Sequence, residues 1–137
     1  MPSARSVSRD TEEVPAIPQN ALELIGNTPL VELQGFDTGP CRLFLKLECN
    51  NPGGSIKDRM AFSMVAAAER SGELQSGDAI VEATAGNTGI GLALVAAVKG
   101  YRLILVIPDK MSSEKIGHLR ALGGHPHYAF RRGAGAS

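Results

Sequence analysis

Residues 78–108 read DAIVEATAGNTGIGLALVAAVKGYRLILVIP. Ala79 to Ala83 is a short apolar-rich strand, and the small residues from Gly86 to Gly91 open a helix behind it. From Leu92 to Lys99 that helix is apolar nearly all round, which marks it as buried. Gly100 ends it, and Leu103 to Ile107 is the unbroken apolar run of a central parallel strand, closed by Pro108. Upstream, Ser55 with Asp58 three residues on gives a helix start. That helix runs to about Ser71, with Ile56, Met60 and Met64 as its apolar stripe and Gly72 as its stop. Downstream, Ser112 or Ser113 caps a third helix that turns Ile116, Leu119 and Leu122 inward and ends at Gly123-Gly124. Helix, strand, helix, strand, helix predicts an α/β fold: an open, mostly parallel, twisted sheet with right-handed crossovers and helices on both faces.

Ahead of this block, residues 1–20 are polar and aperiodic and read as a flexible arm. Ala21 to Ile25 allows one helical turn, and Thr28 to Leu33 a strand with Pro29 at its start. Cys41 to Glu48 alternates, with Leu43, Leu45 and Leu47 on one side, which predicts a half-buried strand. After Gly124 a further parallel strand is due, but His125-Pro126-His127-Tyr128 carries a proline poorly suited to a central strand. Residues 125–137 are therefore expected to form an atypical, disordered tail, and the natural sequence to have been replaced from about His125.

The chain has 137 residues, room for one modest domain, with 43% hydrophobic and 20% charged residues. Fourteen basic residues balance fourteen acidic ones. That gives no general attraction to nucleic acid or to an anionic membrane. No apolar run nears the roughly 20 residues a bilayer span needs. Asp10, Glu12 and Glu13 argue against a secretory or transit segment. Cys41 and Cys49 form no disulfide or metal pattern and are read as packing residues in a reducing, cytoplasmic setting. His125 and His127 have no carboxylate or cysteine beside them, so no metal is expected, and His118 is placed on the solvated side of the third helix.

Two places carry chemistry. Lys57 follows the Asn51-Pro52-Gly53-Gly54 loop and falls in the opening turn of a helix. A positive helix end and partial burial both favour the neutral amine that attacks an aldehyde. Thr84-Ala85-Gly86-Asn87-Thr88-Gly89 lies between a strand and a buried helix, where backbone N–H groups can hold an anion and small residues allow close approach. On composition alone it could equally be a tight turn with no ligand. A nucleotide site is the weaker reading: Gly86, Gly89 and Gly91 give G-x-x-G-x-G rather than G-x-G-x-x-G, and Lys57 lacks the Walker spacing.

Asn51-Pro52-Gly53-Gly54-Ser55-Ile56-Lys57-Asp58-Arg59 resembles the cofactor-lysine motif of the cysteine synthase / cystathionine β-synthase family of pyridoxal-phosphate (PLP) enzymes. Ile25-Gly26-Asn27-Thr28-Pro29-Leu30 is similar to that family's opening segment, and Glu82 to Ala93 to its substrate-carboxylate loop and following helix. Pro108 to Lys115 looks more like the cystathionine β-synthase branch. The resemblance implies a tryptophan synthase β-like PLP fold, here incomplete. Residues 21–50 would be the first strands of the large PLP domain, and 51–124 the small α/β domain. It implies that Lys57 binds the cofactor and moves the Cα proton, and that Asn87 bonds the cofactor ring's phenolic oxygen. Thr84, Ala85, Gly86, Asn87 and Thr88 would hold the carboxylate of a small amino-acid substrate. Where this chain has Ala85 the family often has serine, so one hydroxyl donor is missing. The family's phosphate-holding Gly/Thr-rich loop belongs further along and has no counterpart in this sequence. The implied reaction is β-replacement on L-serine by homocysteine, with O-acetylserine and sulfide as the alternative pair and an inactive fragment as the alternative of another class. The parent family implies a homodimer, with neither nucleic acid nor membrane as partner.

Overall fold

The computed structural model describes residues 17–84, 86–109 and 111–128. Most of the predicted arm and of the tail therefore lies outside the described residues, as do Ala85 and Lys110. A 3-10 turn at Ala21–Leu24, capped by the Asn20 side chain, leads to an antiparallel hairpin of β1 (Leu30–Leu33) and β2 (Leu43–Lys46). The α/β unit follows as α1 (Lys57–Ser71), β3 (Ala79–Ala83), α2 (Asn87–Lys99), β4 (Arg102–Ile107), α3 (Ser113–Ala121) and β5 (His125–Tyr128). β3, β4 and β5 lie side by side in that order, all parallel, with Ile80 opposite Leu103 and Ile104 opposite His125.

The core sits between β4 and the helices. Leu103, Leu105 and Ile107 point to one face of the sheet and are fully buried against α2, whose residues Gly89 to Ala96 are all buried. Ile116 and Leu119 of α3 join the same cluster. Ser112 caps α3 by accepting the Lys115 N–H, and His118 is exposed. Left-handed Gly72 (φ 79°) and Gly100 (φ 78°) end α1 and α2, as their sequence positions predict.

Four expectations are corrected. The predicted stripe of α1 is not its buried face: Ile56 and Met64 are exposed, and Asp58, Ala61 and Val65 turn inward. The second strand is not half-buried, since Leu43, Phe44 and Leu45 are all exposed, on both sides of it. Cys41 and Cys49 pack into nothing, both being free and exposed. The strand pattern also does not stop at Gly124. Left-handed Gly123 (φ 79°) turns the chain, the Gly124 N–H bonds the Leu119 carbonyl at 2.9 Å, and β5 joins the sheet. Among the described residues β5 is an edge strand, where a proline such as Pro126 is tolerated.

Candidate active site

α1 and α2 run side by side in the same direction. Near their C-terminal ends Glu69 of α1 takes Lys99 Nζ at 2.7 Å and the Tyr101 hydroxyl at 2.9 Å. Near their N-terminal ends they touch at Gly91. A Cβ built on Gly91 would stand 2.9 Å from the Lys57 carbonyl oxygen and 3.1 Å from the Ala61 Cβ. Only glycine lets the first turn of α1 lie this close to α2. The approach brings the start of α1, with Lys57, to the end of the helix pair where α2 begins at Asn87. That end lies beyond the carboxyl edge of β3, the usual place for ligands in open α/β sheets.

Lys57 is the first residue of α1 and is half-buried. Its backbone N–H bonds Ser55 Oγ at 3.2 Å. Its amine has no hydrogen-bond or ion-pair partner among the described residues. Thr84 anchors the second loop: its N–H bonds the Val106 carbonyl at 3.1 Å, and its hydroxyl accepts the Gly86 N–H at 3.3 Å. Its methyl group closes over Gly89, where a Cβ would meet it at 2.8 Å. Gly86 is the N-cap of α2 and brings no capping side chain, so N–H groups of the first turn stay available to an anion. Asn87 is exposed, Thr88 half-buried, and there is open space around Gly86. A half-buried, unpaired amine and an uncapped helix start at one end of a helix pair fit an aldehyde cofactor and a carboxylate-bearing ligand.

Around Lys57 the structure adds residues that sequence reasoning passed over. The Glu48 carboxylate takes Arg59 twice, Nε at 2.8 Å and Nη2 at 3.0 Å, and also the Thr28 hydroxyl at 2.7 Å and Asn51 Nδ2 at 2.9 Å. Asn51 Oδ1 in turn accepts the Gly26 N–H at 2.9 Å. One network thus ties the Ile25–Leu30 segment, the end of the hairpin and the first turn of α1. The Arg59 guanidinium first, and the Thr28 hydroxyl next, hold the Glu48 carboxyl down to about 2. Gly26, at φ 100°, lies under Arg59, where a Cβ would meet Nη1 at 3.1 Å. The signal available in the sequence was Arg59, a cation placed two residues beyond Lys57 in the motif.

Asp58 does not cap α1 with Ser55 as the spacing predicts. It is fully buried, its Oδ2 accepts the Gly53 N–H, and its Oδ1 has no partner. Burial pushes its carboxyl above the usual aspartate range, opposed by the Gly53 bond. A buried oxygen left without a donor costs about 1–3 kcal/mol.

A family model described as "pyridoxal-phosphate dependent enzyme" matches residues 21–136. The chain belongs to that family. It is 56% identical over 103 residues to cysteine synthase B of Escherichia coli, covering 74% of this chain and 34% of that protein. It is 54% identical over 112 residues to mouse cystathionine beta-synthase, covering 80% of this chain and 20% of that one. Among solved structures, cysteine synthase from Entamoeba histolytica superposes with a TM-score of 0.78 at 40% identity, over 92% of this chain and 38% of the other. The chain thus spans about a third of the bacterial relative and a fifth of the mouse one. Its α/β fold is that of these PLP enzymes, and the family's cofactor is pyridoxal phosphate. Among the described residues no helix is long and apolar enough to cross a membrane, and no group of three or more His, Cys, Asp or Glu gathers as a metal site would.

Proposed function

We propose that this chain carries the cofactor lysine and the substrate-carboxylate turn of a β-replacement enzyme that makes cystathionine from L-serine and homocysteine. The observation that carries the reading is the half-buried, unpaired amine of Lys57 at the same end of the helix pair as the uncapped start of α2. Bound pyridoxal phosphate supplies the electron sink for loss of the substrate's Cα proton. Lys57 holds the cofactor and takes and returns the proton at Cα. Thr84, Ala85, Gly86, Asn87 and Thr88 hold the substrate carboxylate through N–H and hydroxyl donors, and Asn87 orients the ring. In the net reaction the serine Cβ–O bond breaks, a Cβ–S bond forms to homocysteine, and water leaves. The setting is cytoplasmic, and the whole protein acts as a homodimer.

The second reading is cysteine synthase, with O-acetylserine and sulfide. It is favoured by the 56% identity to cysteine synthase B, against 54% for the mouse cystathionine enzyme. A third reading, of another class, is a fragment that neither holds cofactor nor turns over. The test is to mix the purified chain with pyridoxal phosphate, reduce with borohydride and map the adduct by peptide mass. A label concentrated on Lys57 is expected. No adduct, or a label spread over the lysines, would leave the inactive fragment. Turnover by the 137-residue chain alone is expected to be weak or absent.

A further inference from the structure

Asp58 is badly matched to its surroundings if stability is its only purpose. It is 0% exposed, lies on the face of α1 that also buries Ala61 and Val65, and makes one side-chain hydrogen bond, from the Gly53 N–H to Oδ2. Its Oδ1 is buried and unpartnered. An alanine here would be a better helix former and would leave no buried oxygen unmet, but it would leave the Gly53 N–H without this partner. An exposed aspartate would serve the helix dipole as well, without desolvation.

The turn is shaped around this carboxyl. A Cβ on Gly53 would collide with the Asp58 carboxyl, so residue 53 must be glycine for the carboxyl to lie there. Gly54 follows in the left-handed region at φ 84°, and its N–H bonds the Asn51 carbonyl at 2.7 Å. Asn51 is itself held from outside by Glu48 and Gly26. The segment from Gly53 to Lys57 is therefore pinned at two points, Asn51 on the hairpin side and Asp58 from beneath. Of the two, only Asp58 belongs to the helix that starts with Lys57.

We propose that Asp58 is a positioning residue: by gripping the Gly53 N–H from under the turn, it fixes the backbone from which Lys57 presents its amine. The inference rests on the proposed role of Lys57, and it accounts for a buried, half-satisfied carboxyl beneath the turn that leads into that residue. It acts through the shape of the hydrogen bond rather than through charge. Asparagine, which keeps an oxygen for the Gly53 N–H, should therefore substitute for it.

Amide hydrogen exchange of the wild-type chain, read without cofactor, gives the first test. The Gly53 N–H should be protected like the interior of α1. Exchange as fast as at the exposed Gly39 turn would overturn the proposal. In Asp58→Ala, protection should fall across residues 53–57 by about threefold to tenfold, the scale of one lost buried hydrogen bond, while residues 60–70 and α2 keep their pattern. Asp58→Asn should retain it. In the borohydride experiment Asp58→Ala should shift label from Lys57 toward Lys46, Lys99 and Lys115, and Asp58→Asn should not. A purely structural role would lower protection everywhere and leave the distribution of label unchanged, and that result would overturn the proposal. Should Asp58→Ala not fold, wild-type exchange and Asp58→Asn still decide it. A wild-type chain that takes no label on Lys57 would count against the function proposed above, while the exchange of Gly53 would still judge Asp58.

Discussion

The two ends of the α1–α2 pair are built on opposite plans. At the C-terminal end Glu69 has two partners, Lys99 and Tyr101, and each helix is closed by a left-handed glycine. At the N-terminal end Gly86 brings α2 no capping side chain, α1 has only the 3.2 Å bond from the Lys57 N–H to Ser55 Oγ, the Lys57 amine stands alone among the described residues, and Asp58 keeps a buried, unmet oxygen. The pair is locked at one end and left unsatisfied at the end proposed to receive a ligand. Unpaired N–H groups and an unpaired amine at a helix start reduce stability, and they are also what a carboxylate and an aldehyde would bind.

The contrast can be broken most severely at Gly91. Gly91→Val would drive a branched side chain into the Lys57 carbonyl and Ala61, and should cost about 3 kcal/mol in urea unfolding. A midpoint close to wild type would mean that the two helix starts do not touch at Gly91. A smaller effect, which depends on pH, is expected at Glu48. Its carboxyl ordinarily titrates at 4.5 and is held at about 2 when folded. The network's contribution is therefore full above pH 4.5 and disappears as the pH falls toward 2. The stability gap between wild type and Glu48→Gln should be constant above about pH 5 and close below it. A gap that widened on acidification would contradict the Arg59 pairing. The smallest effect belongs to the locked end. Glu69→Gln loses a partly exposed ion pair of little worth, so it should lower the melting midpoint only slightly and leave labelling of Lys57 unchanged.

Much of this was legible in the sequence because local chemistry and fold agree there. The all-round apolar stretch of α2 can only be buried, and Gly72 and Gly100 take the left-handed turns their positions predict. The helix starts at Lys57 and Asn87 were legible in the same way, whereas the roles expected of Lys57 and of the loop from Thr84 came from the resemblance of their motifs and not from pattern. The strands of the hairpin show the limit of such reading. Alternation of Leu43 and Leu45 with Phe44 says that a strand forms, and nothing about whether a layer covers it, so all three are exposed. β5 was missed because Pro126 is a poor residue for a strand paired on both sides, and the sequence does not reveal which strand lies at an edge. Asp58 was misjudged for a related reason: its spacing from Ser55 fits a cap, but its direction is set by the glycine facing it at 53. The network of Glu48 with Arg59 joins residues 11 apart across a loop, a contact that no periodicity encodes.

The most direct test of the central claim is a crystal structure of the chain after reaction with pyridoxal phosphate and borohydride. The account predicts density continuous from Lys57 Nζ, with the ring against the turn from Thr84 to Thr88 and within hydrogen-bond reach of Asn87. A Lys57 side chain directed into solvent, with the cofactor attached elsewhere, would contradict it.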